Sequence, residues 1–248
     1  MSGSEHIDAH TPLRSVLVSD AFAERLTECH SGPLLVADFA SGENHEVPLF
    51  VATLHEHVRL NDGESSMPVT YCLDAHVLRL ESLFYKLQES GVLESSRVVE
   101  ARFETMLHQA RFPEVQKDYL TSREHALTAV DTTILESGRL TEGVFDIAFL
   151  NNDVLGYLFE YYAHYADAER SLRQMRATIV SRGLLVVTQP CLLYTIDNME
   201  VLSAAGFSYL EGYDIDWSSR TVRRLETPSH TESWDRARHY RFLLFEAV

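Results

Sequence analysis

The chain has 248 residues and a formal net charge of −16, with 45% hydrophobic and 23% charged residues. This length and composition are typical of a globular protein with a full hydrophobic core. The negative charge repels phosphate backbones and anionic lipids, so we expect neither nucleic acid nor a membrane as partner. No apolar run approaches the roughly 20 residues that span a bilayer. A small neutral or cationic substrate fits this charge better.

The cysteines and histidines indicate no metal site. Cys29, Cys72 and Cys191 are far apart, odd in number and without a C-x-x-C spacing. That pattern is typical of reduced thiols in a cytoplasmic protein rather than of a disulfide framework. The H-E-H segment at residues 55–57 lacks the H-E-x-x-H spacing of a helical zinc site. We therefore expect a cytoplasmic protein that holds no metal.

Short apolar runs alternate with apolar residues at helical spacing, which predicts an α/β fold with a mainly parallel sheet and helices on both faces. No linker, repeat or low-complexity tract divides the sequence, so one domain is predicted over residues 1–248. The first strand is Pro33–Asp38 and the second is Pro68–Asp74. A helical insertion is predicted over 77–120, with its second helix near Val99–Ala110. A third strand is placed near Leu127–Thr133.

The second half of the chain continues this alternation. The fourth strand, Val144–Leu150, ends in the sequence N-N-D, and a helical region follows it. A fifth strand at Gly183–Gln189 precedes a short helix that ends at Gly206. The last two strands, near Phe207–Tyr213 and Tyr240–Ala247, are predicted to pair antiparallel at the edge of the sheet.

Several strand ends resemble those of the class I S-adenosylmethionine-dependent methyltransferases. In that family the first strand ends in D-x-G-x-G-x-G, and here residues 38–44 read D-F-A-S-G-E-N. The family's fourth strand resembles F-D-[IVL] followed by a polar turn and V-L, and residues 145–155 read F-D-I-A-F-L-N-N-D-V-L. R-G-L-L-V-V at 182–187 and A-G-F at 205–207 resemble later family motifs. The resemblance implies a Rossmann-like, seven-stranded sheet with an antiparallel last strand, and S-adenosylmethionine as cosubstrate.

The resemblance also places cofactor contacts at the strand ends, where open parallel sheets bind ligands. Gly42 permits close backbone approach to a nucleoside, and Asp74 can accept hydrogen bonds from the ribose diol. Ala40 and Asn44 replace two of the usual glycines of this loop. Asp131 would face the adenine amino group if the third strand is placed correctly. The predicted cofactor-binding residues are Asp38, Ala40, Ser41, Gly42, Asp74, Ala75, Asp131, Thr132 and Asn151.

Asn151 and Asn152 lie where the family's polar turn faces the methionine moiety and the acceptor. A side-chain carbonyl that accepts an amine N–H would aim the nitrogen lone pair at the electrophilic carbon. We predict that this pair and Tyr157 are catalytic, the alternative being that one Asn caps the next helix. Tyr161 and Tyr194 are predicted to line the substrate pocket. Tyrosine rings there would shield the sulfonium by cation–π contact, although ordinary packing explains them as well.

Three functions follow from this resemblance. The first is methyl transfer to a small, amine-bearing metabolite. The second is a cyclase reaction in which the cofactor's aminobutyrate moiety closes to azetidine-2-carboxylate and methylthioadenosine is released. The third is a non-catalytic binding module, which the altered glycine loop favours. A nicotinamide enzyme is disfavoured because G-x-G-x-x-G is missing. Helical segments within residues 1–30 are predicted, and in this family such segments often cover the site as a lid.

Overall fold

The computed structural model describes residues 12–61, 63–122, 126–152, 154–161, 165–189, 195–216, 221–225 and 239–248. Its strands are β1 (Cys29–His30), β2 (Leu35–Phe39), β3 (Arg59–Leu60), β4 (Val69–Asp74), β5 (Ser96–Ala101), β6 (Ala110–Arg111), β7 (Phe145–Leu150), β8 (Ile179–Gln189), β9 (Phe207–Asp216), β10 (Thr221–Arg224) and β11 (His239–Ala247). Its helices are α1 (Asp20–Thr27), α2 (Glu46–Ala52), α3 (Val77–Glu89), α4 (Glu114–Ser122), α5 (Ala129–Ser137), α6 (Val154–Tyr161), α7 (Tyr165–Thr178) and α8 (Thr195–Ala204). Short 3-10 helices occupy Pro12–Val18, His55–His57 and Leu93–Ser95.

Nine strands form one sheet in the order β10-β9-β11-β8-β7-β2-β4-β5-β6. The five central strands from β8 to β5 are parallel to their neighbours. The last strand, β11, pairs antiparallel with both β8 and β9 and so lies between them. The mainly parallel sheet with an antiparallel last strand is therefore confirmed. The two short edge strands, β6 and β10, extend the seven predicted strands to nine.

The third predicted strand is wrong, because Leu127–Thr133 leads into helix α5. The Thr128 side chain accepts the backbone N–H of Asp131 at 3.0 Å, and the Asp131 carboxylate accepts that of Thr128 at 3.0 Å. This reciprocal capping box starts a helix. The third parallel strand is β5, which lies inside the segment predicted as a helical insertion.

The predicted helix near Val99–Ala110 is also replaced by strand, turn and edge strand. Its apolar residues Val99, Phe103 and Met106 do share one buried cluster. They reach it from β5 and from the turn that follows, not from one face of a helix. The helical content of 77–120 is thus limited to α3, α4 and one short 3-10 helix.

Both faces of the sheet are covered. Along β2, Val36 packs into one buried cluster and its neighbour Ala37 into the other, as the alternation of a strand requires. Helix α1 lies on the Val36 face, where Phe22 and Leu26 are buried. The Phe22 ring stands 6.2 Å from the ring of Phe50 in α2. In the described part of the N-terminal segment the chain forms the 3-10 helix Pro12–Val18 and α1, and the action of this segment as a lid stays a prediction. None of the described helices is long and apolar enough to cross a membrane.

Candidate active site

An open cleft of about 690 Å³ lies at the carboxyl ends of β2, β4 and β7. The chain runs from β2 to β4 and β5 on one side and places β7 and β8 on the other, so strand order reverses there. Such a reversal is where open α/β sheets bind ligands. Nine of the predicted residues line the cleft, namely Asp38, Ala40, Ser41, Gly42, Asp74, Ala75, Asn151, Asn152 and Tyr157. Six others that were not predicted also line it, namely Asn44, His76, Arg79, Phe103, Val154 and Leu158.

The loop after β2 folds over the end of the neighbouring strand. Ser41 donates its backbone N–H to the carbonyl of Leu73 in β4 across 3.2 Å. Ala40 and Gly42 have φ angles of 58° and 56°, in the left-handed region that glycine adopts most readily. Ser41 is 6% exposed, and its hydroxyl has no hydrogen-bond partner among the described residues. A buried, unpaired hydroxyl at the wall of a cleft fits a polar ligand group.

Asp74 connects two of the loops that form the cleft. Its Oδ2 accepts the backbone N–H of Gly42 at 3.0 Å, and its Oδ1 accepts that of His76 at 2.8 Å. Each carboxylate oxygen can accept a second hydrogen bond. The side chain can therefore bind two hydroxyl groups while it holds both loops in place.

Asp38 forms the buried acidic floor of the cleft. The residue is 2% exposed, and burial raises the pKa of its carboxyl well above the usual range. The negative charges of Glu46 and Asp74 raise this pKa further. A cation placed beside these carboxyl groups would lower this pKa again and favour the ionised form of Asp38.

The Asn151–Asn152 turn is held by residues from two other strands, β8 and β11. Thr188, in β8, donates its hydroxyl to Asn151 Oδ1 at 2.6 Å and accepts the Asn152 backbone N–H at 2.8 Å. The Tyr240 hydroxyl, from β11, lies 3.4 Å from Asn151 Oδ1. Burial raises the pKa of Tyr240, which keeps this hydroxyl a donor. Asn152 has a φ of 62°, a conformation that Asn tolerates better than most residues.

Glu46 is the most informative residue that the sequence analysis missed. It is the first residue of α2, and its Oε2 accepts side-chain N–H bonds from Asn151 at 3.3 Å and Asn152 at 3.4 Å. These partners are more than 100 positions away in the chain. A lone Glu in the first turn of a helix is ordinary in a sequence. Only the fold shows that it faces the predicted catalytic pair.

The aromatic wall of the cleft differs in part from the prediction. Tyr157, in α6, lines the cleft and is 66% exposed, so its ring is open to a ligand. Tyr194 lies outside the described residues, as does the side chain of Tyr161. Phe103 follows β5 and forms an edge-to-face contact with Phe39, the ring centres 6.1 Å apart. Phe103 therefore lies where the loop after β5 meets the cleft.

Asp131 and Thr132 lie away from the cleft, so this part of the predicted cofactor site is wrong. Asp131 is fully buried and pairs with Arg97, whose Nε lies 3.1 Å from Asp131 Oδ2. The Tyr71 hydroxyl donates to Asp131 Oδ1 at 2.9 Å. Thr132 bonds to the carbonyl of Thr128 within the helix. The spacing T-x-x-D at 128–131 is the signal that identifies this helix start.

Metal-binding side chains do not converge in the part of the chain that the structure describes. No three His, Cys, Asp or Glu residues there come together as a metal site. The H-E-H segment forms a 3-10 helix with no buried residue.

No protein-family model matches the chain, and no curated protein is significantly similar to it in sequence. Its structure is similar to that of the [4+2]-cyclase SpnF, with a TM-score of 0.51 and 13% identity over 97% of this chain and 84% of SpnF. It is also similar to a Galdieria sulphuraria protein assigned as a sarcosine dimethylglycine methyltransferase, with a TM-score of 0.51 and 11% identity over 95% and 83% of the two chains. Together with the strand order, these likenesses show that the chain has the class I S-adenosylmethionine-dependent methyltransferase fold.

Proposed function

We propose that this protein binds S-adenosylmethionine in the cleft and transfers its methyl group to a small, amine-bearing metabolite. The observation that carries the proposal is the convergence of three strand ends. The loop after β2, Asp74 after β4 and the asparagine pair after β7 line one cleft where strand order reverses. Each of these features matches a part of the family pattern in the sequence.

The nucleoside would lie between the first two strand ends. The Ser41 hydroxyl, which is buried and unpaired among the described residues, would bind a polar group of the cofactor. Asp74 would accept the ribose hydroxyls on the lone pairs that its two backbone contacts leave. Phe103 offers an apolar surface for the base. These assignments use only groups that already line the cleft.

The reacting end would lie beside α6 and the turn after β7. Bound S-adenosylmethionine supplies an electrophilic methyl carbon, and no covalent protein intermediate is needed to transfer it. Asn152 would accept an N–H of the amine and orient its lone pair. Tyr157 would present its exposed ring to the positive charge, a contact worth about 0.5–2 kcal/mol. Val154 and Leu158, both nearly buried, would exclude water from this end.

A cyclase that acts on S-adenosylmethionine alone is the second candidate. Asn151 and Asn152 are joined to the loop region after β2 through Glu46, and Asp38 lies at the base of that region. The groups suited to orient an amine therefore adjoin the buried acid that would attract the cofactor's own amino group. The likeness to SpnF, a [4+2]-cyclase by name, adds only that this fold occurs in a cyclase as well as in methyltransferases.

Incubation with S-adenosylmethionine, with and without a panel of small amines, tests these functions directly. S-adenosylhomocysteine that forms only with an amine supports methyl transfer. Methylthioadenosine that forms without any acceptor, above the rate in heat-inactivated samples, supports the cyclase. Calorimetric binding without either product supports a binding module. Neither binding nor product would contradict the proposal as a whole.

A further inference from the structure

One carboxylate accepts hydrogen bonds from three asparagines that line the cleft. Oε2 of Glu46 accepts side-chain N–H bonds from Asn44 at 3.3 Å, from Asn151 at 3.3 Å and from Asn152 at 3.4 Å. Asn44 follows β2, and the other two follow β7. The carboxylate thus joins the two strand ends on either side of the point where strand order reverses.

These contacts determine which way each amide points. A carboxylate only accepts hydrogen bonds, so the atom of each asparagine that faces Glu46 is the NH2 nitrogen. The side-chain oxygen of Asn44 accepts the backbone N–H of Glu46 at 2.8 Å. The side-chain oxygen of Asn151 accepts the Thr188 hydroxyl at 2.6 Å. Two of the three carbonyl oxygens are therefore engaged within the protein.

The third carbonyl oxygen, on Asn152, has acceptor capacity left. The Tyr240 hydroxyl lies 3.5 Å from Asn152 Oδ1 and 3.4 Å from Asn151 Oδ1. Its single hydrogen cannot serve both oxygens. Asn152 lines the cleft, so its Oδ1 is the acceptor best placed to meet an N–H of a ligand.

We propose that Glu46 is a positioning residue for the reacting amine: it binds the amide hydrogens of Asn151 and Asn152 and so keeps the Asn152 carbonyl available to the cleft. The inference rests on the proposed function, because it requires a nitrogen nucleophile, whether on an acceptor or on the cofactor itself. With the amide of Asn152 reversed, its NH2 would donate to the nitrogen lone pair that must attack carbon. Amide orientation therefore separates an active from a blocked arrangement.

The variant Glu46→Gln tests this role with little change in shape. A glutamine amide is neutral, so its oxygen accepts hydrogen bonds from the three asparagines less strongly than the carboxylate does and holds their NH2 groups less firmly. We expect turnover to fall about 10- to 100-fold while the dissociation constant of S-adenosylmethionine changes less than about threefold, because orientation acts mainly in the transition state. The matched control is Glu56→Gln, which removes the same charge from an exposed residue after α2. The control should keep wild-type turnover.

Side-chain amide NMR provides a readout that does not depend on turnover. The NH2 resonances of Asn44, Asn151 and Asn152, each assigned by its loss in the corresponding Asn→Asp variant, should all shift in Glu46→Gln. They should stay in place in Glu56→Gln. Should Glu46→Gln fail to fold, Glu46→Asp is the second variant to test. It keeps the charge but shortens the side chain, so we expect turnover to fall below that of the wild type, by less than the loss expected for Glu46→Gln.

The outcomes separate this inference from the proposed function. A wild-type protein that binds and converts S-adenosylmethionine, with unchanged turnover or unmoved asparagine resonances in Glu46→Gln, contradicts the role of Glu46 and leaves the function intact. A wild-type protein that does neither contradicts both. Loss of turnover together with a matching loss of cofactor affinity would show a binding role instead and would also overturn the inference.

Discussion

Thr188 donates its hydroxyl to the side-chain oxygen of Asn151 across 2.6 Å, and this bond divides the roles of two consecutive asparagines. Asn151 is 8% exposed and has both ends of its amide engaged within the protein. Asn152 is more exposed and keeps acceptor capacity toward the cleft. The pair predicted to act together is thus better described as one anchor and one ligand-facing residue.

Replacement of each asparagine by Ala should separate these roles. We expect Asn152→Ala to lower turnover about 10- to 100-fold with little change in cofactor affinity. Asn151→Ala should lower both turnover and the free energy of unfolding, the latter by about 1–3 kcal/mol, because Thr188 loses its partner. Turnover, calorimetry and thermal unfolding measure the two effects. If both variants turned over like the wild type, the turn would serve only to start α6.

Asn152→Asp is a sharper probe of the same turn because it nearly preserves shape. The new carboxylate would face the carboxylate of Glu46, which currently accepts the Asn152 amide hydrogens. It would also favour a protonated amine that cannot attack carbon. We expect tighter or unchanged cofactor binding with lower turnover. Higher turnover in this variant would contradict the assignment of a neutral acceptor.

Replacement of Asp131 should affect stability and not cofactor binding. The Arg97–Asp131 pair is buried, so Asp131→Ala leaves an unpaired buried guanidinium and should cost about 3–5 kcal/mol of unfolding free energy. The folded fraction should bind S-adenosylmethionine with wild-type affinity, since neither side chain lines the cleft. Chemical denaturation and calorimetry test the two statements. A selective loss of affinity would restore Asp131 to the cofactor site.

This ion pair also shows why part of the fold escaped prediction from the sequence. Strands β2, β4 and β7 are mainly apolar runs, and the prediction placed them nearly where they occur. Strand β5 contains Arg97, and helix α5 contains Asp131, and each looks like a surface residue when read alone. Only their contact, 34 positions apart in the chain, allows both to be buried. The role of Glu46 was hidden for the same reason, since its asparagine partners after β7 are remote in sequence.

Asp38→Asn should stabilise the ligand-free protein at neutral pH. Burial raises the pKa of Asp38 in the folded state, while the unfolded chain titrates near its usual value of about 4. The folded state therefore holds this proton more tightly, and the associated stability is lost as pH rises through the folded pKa. Asparagine does not ionise, so the variant keeps this stability as the pH rises. Each 1 kcal/mol of unfolding free energy that it gains over the wild type raises Tm by about 2–4 °C in a chain of this size.

Thermal unfolding of wild type and Asp38→Asn across pH measures this effect. The difference in Tm should grow from pH 4 toward pH 8. Below about pH 4, Asp38 of the wild type is protonated in both the folded and the unfolded state, so its ionisation costs no stability there. Affinity for S-adenosylmethionine should fall in the variant, because a cation bound nearby favours the ionised form of Asp38 and asparagine cannot ionise. A variant that is less stable than wild type at pH 8 would contradict this account of Asp38.

The N-terminal segment is predicted to respond to ligand. Phe22 and Leu26 fix α1 to the face of the sheet, and Leu13 and Val16 of the preceding 3-10 helix are buried in the same cluster. If the first 30 or so residues act as a lid, S-adenosylmethionine should slow their cleavage by a protease. Equal cleavage rates with and without ligand would indicate that the segment has no such role.

Calorimetric titration of S-adenosylmethionine into wild type and Asp74→Ala, side by side, tests the central claim most directly. We predict saturable binding at one site per chain, weakened in the variant by about 1–3 kcal/mol because the ribose hydroxyls lose their acceptors. Asp118→Ala, which removes the same charge from the exposed side of α4, should bind like the wild type. No binding to the wild-type protein, or equal affinity in Asp74→Ala, would contradict the assignment of this cleft.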